Sequence, residues 1–331
     1  FCQQNMVGDS LMMATCRSTV CCIAAFIFCT YHCAFIGIQH QLRRGSLALK
    51  AEGSGRPVVA VLGANGRTGS MVVEALTRSS AKPRALTRSG EWKPPQDSNV
   101  NLEDVEIGQA DVTDLSSLVA ALTGVSAVVF AAAYARGKTE PKDVDNGGLV
   151  NCAKVILDKG IGRLVVVSSA SVTRPYAPVG VLLNTIGSGV LNEKLKGENK
   201  IKEMFENTES TYTIVRPGGL TMDPAVGFSE LQFNQGDTYV GNVPRADVAA
   251  TCAVAATDPL NSGAGKTFEM YKARTRQPLL PWYRGKTRYI IGNVPDGSAM
   301  LARLRPDTEV YDVPGALPIS LDDFALGWAR K

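Results

Sequence analysis

An apolar segment that runs directly into a glycine-rich turn constrains this chain more than any other feature. Val58 to Leu62 reads VVAVL, and residues 63–69, which follow it, read GANGRTG. A strand of a parallel sheet is a continuous Val/Ile/Leu run because both of its faces are covered. In a nucleotide-binding turn the first glycine permits the tight turn, the second lets backbone approach a pyrophosphate, and the third lets the next helix pack closely. The predicted phosphate-binding residues are Gly63, Asn65, Gly66, Arg67, Thr68 and Gly69.

The segments around this turn support that interpretation, although the spacing is GxxGxxG rather than GxGxxG. A helix is predicted from Ser70 to Arg78, with its free N–H groups and its dipole directed at bound phosphates. A second strand is predicted from Arg84 to Thr87, where a βαβ unit would place it. The alternative is a tight turn that binds no ligand.

Short apolar strands and helical patterns alternate along the rest of the body, which is typical of a parallel sheet. Strands are predicted at Ala127–Ala131, Leu164–Val167 and Tyr212–Val215. Helices are predicted at Ser116–Leu122, Val144–Lys159, Val190–Asn207 and Arg245–Thr257. Residues 101–110 are predicted to form a polar turn and residues 173–189 an inserted loop. The predicted fold class is α/β, a Rossmann-type doubly wound parallel sheet with a small irregular C-terminal extension.

The pattern changes after Lys272, where six prolines interrupt it and only short strands such as Arg288–Ile291 are expected. This extension is either a small accessory lobe or a segment that binds a protein partner. The predicted domains are a targeting leader or membrane anchor at 1–50, a dinucleotide-binding Rossmann domain at 56–272 and the extension at 273–331.

The first 50 residues differ in composition from the rest of the chain. Val20 to Ile38 is largely apolar and close to the roughly 20 residues that a membrane helix needs. The residues after it are basic and hydroxylated, as in transit peptides, and no acidic residue occurs between Asp9 and Glu52. A signal-like core followed by a basic segment resembles the bipartite leaders of algae with secondary plastids, so plastid targeting is expected. The alternatives are a secretory signal or a membrane anchor, and a membrane is an expected partner only if the leader is retained.

The body of the chain lacks histidine, since His32 and His40 are the only two and both precede the glycine-rich turn. This excludes a Ser-His-Asp triad, a Cys-His pair and a histidine-bound metal in the body, and no metal is expected there. Cys152 and Cys252 are too far apart in the chain for a disulfide framework or a zinc site, so both are expected in the core. Of the formal charge of +4, residues 1–50 supply +3, and the near-neutral remainder gives no reason to expect a nucleic-acid partner.

Five segments, taken in order, resemble the short-chain dehydrogenase/reductase superfamily. They are GANGRTG at 63–69, DV at 111–112, SSASV at 168–172, YTIVRPGGL at 212–220 and RADVA at 245–249. More narrowly, they are similar to the atypical branch that includes NmrA-like proteins and the NADP-binding dehydrogenase-like proteins of plastid envelopes. The resemblance implies a nicotinamide dinucleotide cofactor and oxidoreductase activity on a small molecule that it does not identify.

The residues after the second strand indicate which nicotinamide cofactor is bound. NAD sites place an Asp or Glu about 20 residues beyond the glycine-rich turn, whereas NADP sites use a basic group there. The second strand ends in Thr87-Arg88, no carboxylate occurs before Glu91, and Arg67 lies within the turn itself. Two guanidinium groups on one 2′-phosphate would form charge-assisted hydrogen bonds. We therefore predict NADP(H); the alternative is that Arg67 and Arg88 are ordinary surface arginines.

The resemblance assigns further cofactor contacts along the chain. It implies that Asp111 and the Val112 backbone bind the adenine ring, although a turn or helix-capping aspartate is the alternative for Asp111. It also implies that the small side chains of Ala131 and Ala132 lie against the cofactor and that Pro217 lines the nicotinamide pocket.

The catalytic residues implied by the resemblance are a serine and a Tyr-x-x-x-Lys motif on the next helix. Ser169 takes the serine position, where it would polarise the substrate. Lys194 takes the lysine position, where it would hold the nicotinamide ribose; the alternative is a solvated helix lysine. Val190 stands where the tyrosine is expected, which leaves Tyr134 and Tyr176 as unproven candidates for the proton donor.

This missing tyrosine puts ordinary carbonyl reduction in doubt and keeps two hypotheses open. The first is an NADP(H)-binding oxidoreductase whose acceptor, such as a flavin or quinone, takes its proton from water. The second is a non-catalytic NADP(H)-binding regulator or scaffold that recruits a protein partner through the C-terminal extension. A purely structural membrane protein is a third possibility, against which the intact glycine-rich turn argues.

Overall fold

The computed structural model describes residues 55–95, 98–280 and 289–310, and its centre is a nine-stranded sheet. The strand order is β13-β8-β11-β6-β5-β4-β1-β2-β3. The seven strands from β11 to β3 run parallel, and β8 pairs antiparallel with both β11 and β13. The strands of this sheet are β1 Val58–Leu62, β2 Lys82–Thr87, β3 Glu106–Gln109, β4 Ala127–Phe130, β5 Arg163–Val167, β6 Thr211–Pro217, β8 Leu231–Gln235, β11 Lys266–Lys272 and β13 Tyr289–Gly292.

Two short strand pairs lie outside the main sheet. They are β7 Gly219–Thr221 with β10 Asn242–Pro244, and β9 Tyr239–Val240 with β12 Gln277–Pro278. The helices are α1 Arg67–Thr77, α2 Leu115–Ala121, α3 Leu149–Lys159, α4 Pro178–Ile186, α5 Val190–Phe205, α6 Arg245–Thr257, α7 Gly297–Arg303 and α8 Asp307–Val310, with a π-helical segment at Lys142–Gly148.

The core lies on both faces of the sheet, as the continuous apolar strands predict. Successive residues of β1 alternate between the faces: Val59 and Val61 pack with α1, α6 and α7, whereas Ala60 and Leu62 pack with α2, α3 and α5. Cys152 and Cys252 are both buried, which confirms their predicted place in the core. The predicted Rossmann-type, mostly parallel sheet is therefore confirmed.

The chain reverses its direction of winding at β1, which lies between β2 and β4 in the sheet. From β1 the chain builds β2 and β3 on one side, and then crosses to β4 on the other. In open α/β sheets ligands bind in the crevice at such a switch point, beyond the carboxyl ends of the strands. The glycine-rich turn follows β1 directly and so lies at this crevice.

Two predicted irregular regions contain regular structure. Residues 101–110, predicted as a turn, include the edge strand β3, whose Glu106 and Gly108 interrupt the apolar pattern that a buried strand would show. Residues 173–189, predicted as a loop, include α4, which leaves Val181, Leu182 and Ile186 exposed. Neither element has the periodicity on which the predictions relied.

The described residues after Lys272 join the same sheet and core. β13 forms its edge strand, and Val294, Met300 and Leu301 pack into the cluster that covers one face of β1. The sheet therefore continues beyond the predicted boundary at residue 272. Helix α7 was not predicted, because a seven-residue segment between prolines carries little periodic signal.

The predicted leader, residues 1–50, lies outside the described residues, as do residues 311–331 of the predicted extension. Within residues 55–95, 98–280 and 289–310, none of the helices has the length and apolarity needed to cross a membrane.

Candidate nucleotide and catalytic site

The glycine-rich turn packs so closely against its neighbours that two of its glycines have no room for a side chain. Gly63 has a φ of +81°, and a Cβ there would lie 2.7 Å from both the backbone nitrogen and the Cα of Ala132. A Cβ at Gly69 would overlap the carbonyl group of Gly63. The first and third glycines thus allow the tight turn and the close helix packing that shape a dinucleotide cradle.

Helix α1 begins inside this cradle without a side-chain cap from the described residues. Gly66 immediately precedes the helix. The first N–H groups of a helix have no intrahelical partner, so those of Arg67, Thr68 and Gly69 are directed outward, together with the positive end of the helix dipole. This arrangement fits an anionic ligand and agrees with the predicted roles of these three residues.

The segment that follows β2 is hydrogen-bonded to the glycine-rich turn. The Asn65 side-chain amide donates to the Glu91 carbonyl oxygen at 2.9 Å, and Trp92 Nε1 donates to the Ala64 carbonyl oxygen at 3.1 Å. Arg88 follows β2 with an exposed side chain, and among the described residues no carboxylate forms an ion pair with it. Its guanidinium is therefore available beside the cradle.

Asp111, the predicted adenine contact, forms an aspartate turn beyond β3. Its Oδ1 accepts from the Thr113 backbone N–H at 2.9 Å and from the Thr113 hydroxyl at 2.7 Å. The turn alternative considered for Asp111 is thus present. Val112 is buried beside it, and its carbonyl oxygen accepts from Asn151. The adenine role of both residues remains a prediction.

The segment after β4 forms the wall of the crevice opposite α1. Ala131 N–H donates to the Leu62 carbonyl oxygen at 3.0 Å, which continues the pairing of β4 with β1. The backbone of Ala132 lies against Gly63, as described above. Both alanines are therefore beside the glycine-rich turn, where their small side chains leave space for a ligand.

Two consecutive serines follow β5 in different surroundings. Ser168 is buried and donates its hydroxyl to the Glu198 carboxylate, whereas Ser169 is half-buried and donates only to the carbonyl oxygen of Ala170, at 3.0 Å. Ala170 N–H in turn donates to the Pro217 carbonyl oxygen at 2.9 Å. Ser169 is thus the more accessible serine, and its segment is tied to the predicted nicotinamide-pocket residue.

Lys194 is not a solvated helix lysine. Its Nζ lies 2.7 Å from Oδ1 of Asp145, a carboxylate with a completely buried side chain. The other oxygen of Asp145 accepts from the Tyr134 backbone N–H at 2.9 Å. Asp145 therefore links the helix that carries Lys194 to the chain beyond β4. The sequence analysis missed Asp145, because its interaction depends on the π-helical segment in which it lies.

The two tyrosine candidates have different surroundings. The Tyr176 side chain is 52 % exposed. Tyr134 is half-buried, and its hydroxyl lies 3.4 Å from where a Cβ of Gly187 would be, a point also 2.7 Å from Val190 Cγ1. The Tyr134 hydroxyl and Val190, the residue that replaces the expected tyrosine, thus both lie beside Gly187.

A buried ion network joins helix α5, which carries Lys194, to the strands β6 and β11. Arg216, 1 % exposed, donates to Oε2 of Glu198 at 2.6 Å and to Oε1 of Glu269 at 3.2 Å. Glu198 follows Lys194 by one helical turn, and Arg216 directly precedes Pro217. The network therefore joins the backbone segments that carry Ser169, Lys194 and Pro217.

The two carboxyl groups of this network titrate differently. Burial alone would raise the pKa of Glu198, but the charge and hydrogen bonds of Arg216 bring that pKa below its usual value. Burial, with the negative charge of Asp237, raises the pKa of Glu269 to about 7 despite the presence of Arg216. The two carboxyl groups of this network therefore differ in proton affinity, with Glu269 the more readily protonated of the two.

A glycine-rich cradle at the switch point of a doubly wound parallel sheet defines a Rossmann-type nucleotide-binding protein. A family model described as NAD(P)H-binding matches residues 63–259, and the chain belongs to that family.

Known proteins agree with this assignment. The chain is 34 % identical over 208 residues to an uncharacterised chloroplastic protein of Arabidopsis thaliana, covering 60 % of this chain and 71 % of that protein. Its fold is similar to that of the oxidoreductase ylbE from Lactococcus lactis, with a TM-score of 0.54 and 20 % identity, covering 66 % of this chain and 92 % of the other. It is also similar to a short-chain dehydrogenase/reductase from Veillonella parvula in complex with NADP, with a TM-score of 0.52 and 16 % identity, covering 66 % and 96 %. The predicted resemblance to short-chain dehydrogenases/reductases is therefore confirmed at the level of the fold and of nucleotide binding.

Proposed function

We propose that this protein is an NADP(H)-dependent oxidoreductase that acts on a small molecule. The observation that carries the proposal is the ion pair of Lys194 with Asp145, which holds a partly desolvated ammonium group beside the chain that follows β4. That chain also forms the wall against which Gly63 packs. A lysine that a buried carboxylate holds in one position is suited to bind ribose hydroxyls. A lysine that only faces solvent on a helix surface needs no such buried partner.

The roles of the remaining site residues follow from their positions. When bound, the nicotinamide supplies a hydride. Ser169 would donate a hydrogen bond to an oxygen of the substrate, and Lys194 would fix the ribose so that the ring faces that substrate. Tyr134 is our candidate for the proton donor, because its hydroxyl and Val190 both lie beside Gly187. An acceptor that takes its proton from water would not need it.

The preference for NADP(H) rests on Arg88, an exposed arginine at the end of β2 with no acidic residue in the position that NAD sites use. The Veillonella protein in complex with NADP has a similar fold and supports the same proposal. For Arg67, the 2′-phosphate and the diphosphate of the dinucleotide are both candidate ligands.

Replacement of Arg88 by glutamine is expected to weaken NADPH binding by about ten- to a hundredfold and to leave NADH binding unchanged. One charge-assisted hydrogen bond contributes about 1.5–3 kcal/mol, and only NADPH carries the 2′-phosphate. Titration calorimetry with both nucleotides measures the ratio. Arg303→Gln, at an exposed arginine of α7, is the control and should change neither affinity. Equal losses for NADPH and NADH would contradict the assignment.

The proposed activity is tested by incubating the protein with NADPH and a panel of quinones, flavins and enals while nicotinamide absorbance is followed. Lys194→Met is expected to slow oxidation about a hundredfold, because a misplaced reactant costs about that much. Lys196→Met is the matched control, since Lys196 lies on the same helix but pairs at the surface with Glu193. Equal rates for the Lys194 variant and the wild type would exclude the proposed role of Lys194.

A non-catalytic regulator or scaffold is the second candidate, favoured by Val190 at the tyrosine position. Under that hypothesis NADPH binds tightly but is oxidised with no member of the panel, and deletion of the residues after Lys272 abolishes capture of a protein partner while NADPH binding remains. Because part of that segment forms β13 and packs in the core, the deletion requires a stability measurement as its control.

We further propose that the protein functions in a plastid. The composition of residues 1–50 supports this location, as does the chloroplastic relative in Arabidopsis thaliana. The experiment is to image a fluorescent fusion of the full chain, with a fusion that lacks residues 1–50 as its control. Retention of the plastid signal by the shortened fusion would contradict the leader assignment.

A further inference from the structure

Arg245 is a mostly buried residue whose guanidinium has no anionic partner among the residues that the structure describes. It is the first residue of α6, its exposed fraction is 7 %, and its guanidinium makes a single hydrogen bond, a 3.3 Å contact with the Leu220 carbonyl oxygen. Buried arginines are almost always paired with an acidic group or fully hydrogen-bonded. Of the five N–H donors of Arg245, those that bond to no described residue are on nitrogens that solvent can reach, and so are open to a ligand.

The charged residue that acts on the pKa of Arg245 has the same sign. Burial lowers the pKa of Arg245, and the positive charge of Arg67 lowers it further. Arg67 belongs to the glycine-rich turn and begins α1, the helix against which α6 packs. Asp247, the acidic residue in the first turn of α6, is engaged elsewhere, since its two oxygens accept from the backbone N–H groups of Val226 and Gly227 at 2.9 Å each.

Several sources of positive potential thus meet at one place without a counterion in the described part of the chain. They are the Arg67 and Arg245 side chains and the N-terminus of α1, which has no side-chain cap. Such an arrangement favours a bound anion, because the two like charges repel each other and the burial of most of Arg245 weakens the hydration of its guanidinium. A dianion between the two guanidinium groups would remove both costs.

We propose that Arg245 and Arg67 together bind the diphosphate of the dinucleotide, with Arg245 reaching it from the first residue of α6, the helix that packs against α1. This inference rests on the proposed NADP(H) binding. The diphosphate is favoured over the 2′-phosphate because Arg67 lies in the turn whose backbone donors surround it. Arg245, through Leu220, is attached to the segment that follows Pro217, on the predicted nicotinamide side.

Nucleotide affinities test the assignment, with Arg245→Gln as the main variant. Because the diphosphate is common to both cofactors, NADPH and NADH binding should both weaken, by about tenfold or more. Arg245→Lys keeps the charge without the planar fork, so its affinity should fall between those of the wild type and the glutamine variant. Unchanged affinity in Arg245→Gln would overturn the proposal. Loss of NADPH binding alone would overturn the diphosphate assignment in favour of the 2′-phosphate.

Thermal unfolding without nucleotide gives a second, independent readout. Removal of a cation that pairs with no acidic group and is repelled by Arg67 should leave the midpoint of Arg245→Gln equal to or above that of the wild type. Inorganic pyrophosphate should raise the midpoint of the wild type and not that of the variant. Arg163→Gln is the matched control, because Arg163 is a buried arginine whose guanidinium donates to the Asp258 carbonyl oxygen at 2.6 Å. Its midpoint should fall.

A midpoint for Arg245→Gln as low as that of Arg163→Gln would show a structural role for Arg245 and overturn the proposal. If the wild type binds neither nucleotide, the proposed function fails. In that case, stabilisation by pyrophosphate that depends on Arg245 would still support the anion site, and its absence would overturn it.

Discussion

Replacement of Gly63 by alanine is expected to weaken NADPH binding by at least about a hundredfold, which corresponds to roughly 2.7 kcal/mol. Two independent causes combine at this residue. Its φ of +81° is strained for any residue with a Cβ, and that Cβ would lie 2.7 Å from the backbone of Ala132. Because the obstruction is backbone on the opposite wall of the crevice, the turn itself must move. Titration calorimetry with NADPH measures the loss.

Gly124 supplies a matched control for this experiment. Its φ is +73°, close to that of Gly63, but a Cβ there has no atom within 4 Å. Gly124→Ala should therefore cost about 1–2 kcal/mol of unfolding free energy from backbone strain alone and leave NADPH affinity unchanged. Equal NADPH affinities for the two variants would show that close packing of the turn against Ala132 does not matter for binding.

Replacement of Arg216 by methionine is expected to be the most destabilising single change, at about 3–5 kcal/mol near pH 8. It leaves the carboxylates of Glu198 and Glu269 buried without their shared cation. Without that cation, burial raises the pKa of both groups above the value in the unfolded chain. A carboxyl group with a raised pKa favours the folded state at low pH and loses that contribution as the pH rises. The deficit should therefore be smaller at pH 5 than at pH 8, which urea unfolding at both values measures.

The free energy of unfolding of the wild type has a weaker pH dependence of the same sign. It comes from Glu269, whose pKa is about 7. Its contribution to stability is present at pH 4.5 and is lost as the pH rises through 7.

Arg163→Met controls for the loss of any buried arginine. Its hydrogen-bond acceptors are backbone carbonyl oxygens, so a smaller loss of about 1–3 kcal/mol with little change between pH 5 and pH 8 is expected. An equal, pH-independent loss in both variants would contradict the role assigned to the carboxyl pair.

The parts of the fold that the sequence predicted are those with local signals. β1, the glycine-rich turn and α6 follow from apolar runs and from glycine spacing within about a dozen residues. β3 escaped prediction because it is an edge strand with Glu106 and Gly108 in it. Helix α4 escaped because it exposes apolar side chains, such as Leu182, that a surface helix ordinarily buries.

The residues of the site also divide into those that the sequence could locate and those that only the folded chain reveals. The glycine-rich turn could be located from its glycines together with the strand and helix around it, and Lys194 from the resemblance to a Tyr-x-x-x-Lys helix. Asp145 and Arg245 could not, because each acts on a residue distant in sequence and neither belongs to a local motif. Their importance depends on burial and on the sign of a neighbouring charge, which only the folded chain defines.

The π-helical segment at Lys142–Gly148 has a consequence for how this site tolerates changes in chain length. A π-helical turn contains one more residue than an α-helical turn, and each residue of a helix advances about 100° around its axis. Removal of one residue before Asp145 would therefore rotate its carboxylate away from Lys194, even though every functional side chain would still be present. The ammonium group would then face solvent. A relative with a one-residue deletion there could keep every motif and lose the site. The length of this segment is therefore as informative as the identity of its residues.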